Sequence, residues 1–198
     1  MRASDVFFEI LRNKPVIAAL RQAADIDAAL DVGAEVVFLL SGTIFDLENV
    51  LNTAAKKRPD RRTVICCHID LLQGIGRDEA GLRFLARHVG VDGILTTRSQ
   101  LVRAARQEGL LAVQRMFLLD SSAIETAVNV LSKSNPDAIE ILPALVLPTV
   151  WNRLPVDQLP PIIAGGLVQT EDELRSVLRA PVRAVSTSRA SLWSFRRD

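Results

Sequence analysis

The stretch V-V-F-L-L at residues 36–40 indicates the fold class, because it is a short and continuous apolar run of strand length. Strands have this composition when helices cover both faces of a parallel sheet. Similar runs recur at 15–20, 63–70, 92–97, 111–117, 138–142, 161–165 and 182–187. Amphipathic stretches of helix length separate most of these runs, with Gly or Pro between them. Eight strands alternating with helices predict an α/β protein with a compact, TIM-barrel-like (β/α)8 fold.

The chain length favours one domain. We expect a single (β/α)8-like domain over residues 1–198, with residues 1–14 as an N-terminal lead-in segment. About 250 residues are typical of this fold, so 198 residues leave room only for tight loops. The sixth unit is the weakest, because five prolines between Pro143 and Pro161 disfavour a full helix there. An open doubly wound sheet with one or two falsely assigned strands is the alternative architecture.

Composition narrows the class of protein. Hydrophobic residues make up 48% of the chain and charged residues 24%, and the net charge is +1. This near-balance argues against binding nucleic acid or a membrane through overall charge, although a local basic face is compatible with it. Cys66 and Cys67 are adjacent and poorly placed to bond each other, which fits a reducing compartment. With no apolar run near 20 residues, we expect a cytoplasmic protein without a membrane partner.

The last two strands are followed by residues suited to binding phosphate. Gly165 and Gly166 follow the seventh run, where backbone N–H groups could approach an anion with no Cβ in the way. The eighth run ends in Ser186, Thr187 and Ser188, which add hydroxyl groups. Loops after strands seven and eight commonly form the phosphate site of this fold. The alternative is that the glycines make a tight turn and the hydroxyls cap a helix.

Other polar residues near the predicted carboxyl ends of strands could contact the rest of a ligand. His68 and Asp70 are two residues apart and would share one strand face. No metal site is predicted, because His88 is the only other histidine, and no cofactor is expected. The alternatives are a structural histidine and carboxylates that pair with arginines. The candidates for polar ligand contacts are Arg21, His68, Asp70, Gln114, Arg115 and Glu140.

The lysines argue against one class of enzyme. A Schiff-base aldolase needs a lysine at the barrel mouth. The four lysines are Lys14, which precedes the first strand, and Lys56, Lys57 and Lys133, which lie in predicted helices. A small barrel enzyme acting on a phosphorylated triose or sugar, with acid–base chemistry by Asp70, Glu140 or His68, stays open as an alternative function.

A cluster of basic residues ends the second predicted helix and leads into the third predicted strand. The five residues are Lys56, Lys57, Arg58, Arg61 and Arg62, which fall within seven positions. They are the candidates for contacting RNA, and Arg98, Arg103 and Arg106 are the next set. A solvated surface is the alternative for either set.

Several strings resemble one protein family. They are P-V-I-A-A-L-R at 15–21, C-H-I-D-L-L-Q-G-I-G-R-D-E-A at 67–80, D-G-I-L-T-T-R-S at 92–99, V-Q-R-M-F-L-L-D-S at 113–121, P-D-A-I-E-I-L-P at 136–143, P-I-I-A-G-G-L-V at 161–168 and A-V-S-T-S at 184–188. In order and spacing they resemble the glycerol-3-phosphate-responsive antiterminators, the regulatory proteins of bacterial glycerol uptake operons. The resemblance covers nearly the whole chain and departs from the family pattern at Ala144 and between Leu147 and Pro160.

The resemblance implies a function that the residues alone do not. It implies a barrel-like protein without catalytic activity that binds glycerol 3-phosphate as its effector. It also implies binding to the leader mRNA of glycerol-utilisation operons, where the protein prevents premature transcription termination. A homo-oligomer is compatible with the sequence.

Overall fold

Parallel strands close into a barrel in the computed structural model, which describes residues 3–60 and 63–197. Each strand pairs with its neighbours in chain order, and the last strand pairs with the first. Within those ranges the eight barrel strands are β1 (Val16–Leu20), β2 (Val36–Leu39), β3 (Val64–His68), β4 (Gly93–Thr96), β5 (Leu111–Phe117), β6 (Ala138–Leu142), β7 (Ile162–Gly165) and β8 (Ala184–Thr187). A separate two-stranded pair joins Gly42–Thr43 to Leu72–Gln73 beyond the ends of β2 and β3. The predicted TIM-barrel-like α/β fold is confirmed.

Helices cover the outside of the barrel, and the first of them covers the amino ends of the strands. They are α1 (Ala3–Asn13), α2 (Ile26–Asp31), α3 (Ile44–Lys57), α4 (Glu79–Phe84), α5 (Ser99–Gln107), α6 (Ser121–Ser134), α7 (Leu147–Val150) and α8 (Glu171–Leu178). Capping boxes begin two of them, Thr43 with Asp46 on α3 and Thr170 with Glu173 on α8. Each box satisfies backbone N–H groups that a helix N-terminus leaves without intrahelical partners. In the described part of the chain, no helix is long and apolar enough to cross a membrane.

Helix α1 lies within the predicted lead-in segment, where the sequence indicated no helix. Its Phe7 and Leu11 are fully buried and join the side chains that fill the barrel interior. The ring of Phe7 stacks on that of Phe38 from β2, with centroids 6.4 Å apart. Because α1 precedes β1, these side chains enter the barrel from the amino ends of the strands. The opposite end, the mouth, holds the carboxyl ends of the strands.

The sixth unit lacks a full helix, as its prolines predict. Between β6 and β7 the chain forms only the four-residue helix α7 and single turns at Ala144–Val146, Trp151–Arg153 and Val156–Gln158. Proline fixes φ and removes an N–H donor, so neither α7 nor the turns extend. After β8 the chain forms a single turn at Ala190–Leu192.

Candidate functional site

A polar layer sits at the mouth, directly above the apolar interior. The interior contains Phe38, Cys66, Val113 and Ile163, one from each of four strands. Side chains two positions farther along a strand point to the same face. This periodicity places the following residues in the mouth layer: His68 on β3, Arg115 on β5, Glu140 on β6, Gly165 on β7 and Ser186 on β8.

Three of these residues form a continuous hydrogen-bonded chain. The pairing of β5 with β6 sets Arg115 opposite Glu140, and Arg115 Nε donates to Glu140 Oε2 at 2.6 Å. The Ser186 hydroxyl donates to the other carboxylate oxygen, Oε1, at 2.5 Å. The Glu140 side chain is 1% exposed and that of Arg115 is 13% exposed. The carboxylate is therefore a buried charge whose two oxygens both have partners.

Gly165 makes this chain of contacts possible. Ser186 on β8 reaches Glu140 on β6 across the intervening strand β7, where Gly165 stands. A Cβ at this position would lie 2.8 Å from both Glu140 Oε1 and Ser186 Oγ. Any side chain here would therefore separate the two groups.

The loop after β7 presents backbone donors to the mouth. Gly166 and Leu167 both have positive φ, +82° and +66°. A positive φ is uncommon for a leucine and marks a constrained backbone. The backbone N–H groups of Leu167 and Val168 donate to no residue in the described ranges. Successive free N–H groups in such a turn can form an anion-binding concavity.

A cavity of about 190 Å³ lies between this loop and the mouth layer. Its lining includes the Gly166 backbone and the polar side chains of Arg21, Arg115, Glu140, Gln169, Ser186 and Ser188. Arginine guanidinium groups and free N–H groups can bind an anion, and the carboxylate can accept a hydrogen bond from a hydroxyl group. The structure thus brings together most of the residues that the sequence predicts for phosphate binding and for polar ligand contacts.

Thr187 also borders the cavity, but its hydroxyl is already engaged. It donates to the Val168 carbonyl at 3.0 Å and accepts from the Arg189 N–H at 3.0 Å. The Thr187 carbonyl accepts from the indole N–H of Trp193 at 2.8 Å. Thr187 therefore ties the loops after β7 and β8 together.

Asp70 lies apart from the cavity lining and is saturated by its neighbours. Its carboxylate accepts from the Thr96 hydroxyl at 3.0 Å and from the Thr97 N–H at 2.8 Å. Arg98 Nε lies 3.3 Å from the other oxygen. Asp70 thus holds the carboxyl end of β4. This role matches the alternative of a carboxylate that pairs with an arginine, and the partners lie 26 to 28 positions farther along the chain.

His68 carries a buried polar atom without a partner. Its Nδ1 forms no hydrogen bond with any described residue and lies 3.9 Å from Asp70 Oδ2, which is beyond hydrogen-bond distance. Burial and the nearby Arg115 charge lower the pKa of this imidazole, although Asp70 and Glu140 act in the opposite direction. Burial, the largest of these effects, therefore favours the neutral imidazole.

Gln114 must be removed from the candidate site. Its amide donates to the Ser99 hydroxyl at 3.1 Å, and its carbonyl accepts from the Ser134 hydroxyl at 2.6 Å. Both serines belong to helices outside the barrel, α5 and α6. Because Arg115 faces the interior, its neighbour Gln114 faces the helices.

The predicted RNA-contacting cluster is partly neutralised. Lys57 pairs with Asp27 at 2.9 Å and with Asp31 at 2.7 Å. The Arg58 guanidinium donates to the carbonyls of Leu30 and Ala34, so it caps the end of another helix and its loop. Lys56 is exposed. Arg61 and Arg62 lie outside the described residues.

Metal-binding geometry is not present in the described ranges. They contain no group of three or more His, Cys, Asp or Glu side chains that could hold an ion. The cavity at the mouth is lined by arginines and one carboxylate, a set suited to an organic anion.

Comparison with known proteins assigns the chain to a family. The family described as glycerol-3-phosphate responsive antiterminator matches residues 16–193. An Escherichia coli (strain K12) protein, YgcP, described as uncharacterized, is 34% identical over 186 residues, or 94% of this chain and 95% of YgcP.

Two solved structures agree with this match. A glycerol uptake operon antiterminator-related protein from Thermotoga maritima has a TM-score of 0.77 and 34% identity, covering 92% of this chain and 99% of its own. The glycerol uptake operon antiterminator regulatory protein from Listeria monocytogenes has a TM-score of 0.81 and 30% identity, covering 91% and 95%. The chain belongs to the glycerol-3-phosphate responsive antiterminator family.

Proposed function

We propose that this protein is a cytoplasmic, non-enzymatic regulator that senses glycerol 3-phosphate and binds the leader mRNA of glycerol-utilisation operons. Membership of the antiterminator family supports the regulatory role. One structural observation carries the choice of ligand: a single cavity joins anion-binding groups to a buried carboxylate. A small phosphorylated alcohol has matching chemistry at its two ends. The protein needs no cofactor for this function.

The phosphate would lie at the loop after β7. The free N–H groups of Leu167 and Val168 are its first donors, and Ser188 and the Arg21 guanidinium line the same cavity. Hydrogen bonds to a charged phosphate oxygen are stronger than hydrogen bonds between neutral groups. Arg115 lies between the phosphate and the carboxylate and can contact both.

The two hydroxyl groups of the ligand would lie toward the polar layer. Glu140 lines the cavity and accepts hydrogen bonds, and His68 Nδ1 is a second candidate because it has no partner among the described residues. An unpaired buried polar group costs about 1–3 kcal/mol, so a ligand without hydroxyls would bind less well. We assign Asp70 to support of the site and not to direct contact, because its oxygens already have partners.

Calorimetric titration tests the ligand assignment. We expect glycerol 3-phosphate to bind more tightly than inorganic phosphate, and glycerol to bind weakest. Gly166→Val should abolish this binding, because the side chain would distort the turn that presents the N–H groups. Arg103→Ala is the matched control, since Arg103 is exposed on α5 and does not line the cavity. Unchanged affinity of Gly166→Val for glycerol 3-phosphate would overturn the assignment.

A second experiment separates a regulator from an enzyme. Leader RNA is titrated with protein in the presence and absence of glycerol 3-phosphate, and the phosphorylated compound is then recovered and analysed. We expect the ligand to change RNA affinity and to be recovered intact. Conversion of glycerol 3-phosphate or of another triose phosphate would instead favour the acid–base enzyme.

A further inference from the structure

A groove of about 570 Å³ lies at the amino ends of β7 and β8, at the opposite end of the barrel from the mouth. We call it the β7–β8 groove. Its lining includes Trp151, Pro161, Ile162, Val182, Arg183 and Arg197. The groove exists because the unit between β6 and β7 has only α7 and single turns, where a full helix would cover the barrel.

Exposed arginines surround this groove. Arg183 and Arg197 line it, Arg153 ends the turn that contains Trp151, and Arg179 follows Leu178, another lining residue. None of these four forms an ion pair with any residue in the ranges 3–60 and 63–197. Asp157 is the one acidic residue in the lining. The groove therefore has an excess of positive charge, although the Arg197 guanidinium also donates to the Val182 carbonyl at 3.3 Å. In the predicted cluster, by contrast, two aspartates neutralise the charge of Lys57.

We propose that the β7–β8 groove binds single-stranded RNA, with a base stacked on Trp151 and phosphates on Arg183 and Arg197. This inference rests on the proposed RNA-binding function and names its surface. Grooves for single strands combine positive charge along the backbone with aromatic side chains on which bases stack. Trp151 is partly exposed at the groove, and the neighbouring arginines can add planar guanidinium contacts. Sequence reasoning missed this site because its residues are dispersed from Trp151 to Arg197.

Two strands, β7 and β8, connect the groove to the proposed ligand cavity at the mouth. Ile162 begins β7, which ends at Gly165, and Val182 and Arg183 lead into β8, which contains Ser186. Four residues of strand span about 13 Å at 3.3 Å per residue. A ligand that alters the mouth ends of β7 and β8 therefore acts on the strands that form the groove.

Anisotropy with labelled RNA tests the proposal. The RNA is a fluorescein-labelled single-stranded 12-mer from the leader of a glycerol-utilisation operon. We expect Arg183→Ala and Trp151→Ala each to weaken binding on the order of tenfold. Loss of one phosphate contact by Arg183→Ala should also reduce the slope of log K against log salt by about 0.7. Arg77→Ala should leave both quantities unchanged, because Arg77 is exposed and does not line the groove.

Tryptophan fluorescence gives an independent readout. The chain has two tryptophans, and Trp193 is buried, with its indole N–H bonded to the Thr187 carbonyl. RNA should quench the emission of Trp151, so Trp151→Phe should remove most of the quenching while retaining an aromatic ring and measurable binding. This conservative variant also keeps the test informative if Trp151→Ala fails to fold.

The possible outcomes distinguish failure of the groove as the RNA site from failure of RNA binding as the function. If the wild-type protein binds the RNA but the groove variants bind it equally well, the groove is refuted as the binding site, while RNA binding as the function is supported. If Lys56→Ala weakens RNA binding and the groove variants do not, the binding site is the basic cluster before β3. Equal affinity for a double-stranded 12-mer would refute single-strand recognition. No binding by the wild-type protein would refute both the groove and the proposed function.

Discussion

Replacing Gly165 by alanine should damage the mouth more than the same change at Gly166, although Gly166 has the unusual backbone. The added Cβ at position 165 would lie 2.8 Å from both Ser186 Oγ and Glu140 Oε1. A hydrogen bond to a charged group contributes about 1.5–3 kcal/mol, and overpacking a dense interior costs about 1–3 kcal/mol. We therefore expect Gly165→Ala to lower the free energy of unfolding by about 3 kcal/mol or more.

Gly166→Ala is the matched control for this change. Its Cβ would meet Leu142 Cδ2 at 3.4 Å, which is ordinary contact. The remaining cost is the left-handed conformation, about 1–2 kcal/mol for a residue with a Cβ. Urea denaturation monitored by circular dichroism measures both values. A smaller loss for Gly165→Ala than for Gly166→Ala would refute the view that position 165 must be empty for Ser186 to reach Glu140.

Three further predictions concern buried ionisable groups. Because the pKa of His68 is lowered in the folded state, the unfolded chain binds the proton more readily. The free energy of unfolding should therefore fall as the pH decreases below about 6.5. The urea midpoint measured against pH should show this fall, and His68→Gln should make it smaller. Burial raises the pKa of both thiols, that of Cys67 to about 12. Cys66 and Cys67 should therefore react with Ellman's reagent only after the protein unfolds. Rapid labelling of the native protein would contradict their burial. Arg115→Met should cost about 3–5 kcal/mol by leaving Glu140 charged and unpaired. In a double-mutant cycle, adding Glu140→Leu should restore much of that loss, and additive losses would show that the pair is not coupled.

The order of strands was predictable from the sequence, but the direction in which each side chain points was not. In L-A-V-Q-R-M-F at 111–117, Gln114 and Arg115 are adjacent polar residues on a strand covered on both faces. Where one face of a strand is exposed to water, alternating polarity identifies the buried face, but a strand buried on both sides lacks this signal. Only the closed barrel shows that Arg115 faces the cavity at the mouth and Gln114 the helices.

The electrostatic state of the basic residues was not predictable from the sequence, for a related physical reason. Sequence clustering finds charges that are close along the chain, but it does not show which of them are neutralised. Lys57 meets aspartates about 26 to 30 positions earlier, and Arg58 meets helix-end carbonyls. The arginines of the β7–β8 groove are far apart in sequence, and only folding places them side by side.

The arrangement of charges at the mouth has a consequence for ligand discrimination. In the proposed complex the phosphate attracts Arg115, whose guanidinium is 2.6 Å from the buried Glu140 carboxylate. Any weakening of that pair must be offset by a new donor to Glu140, and a ligand hydroxyl can supply it. Recognition of the phosphate and of the hydroxyls should therefore be coupled. We expect Glu140→Gln to reduce the preference for glycerol 3-phosphate over inorganic phosphate by at least about fivefold, a change on the order of 1 kcal/mol. Calorimetry with both anions measures it, and an unchanged ratio would show that Glu140 serves only the barrel.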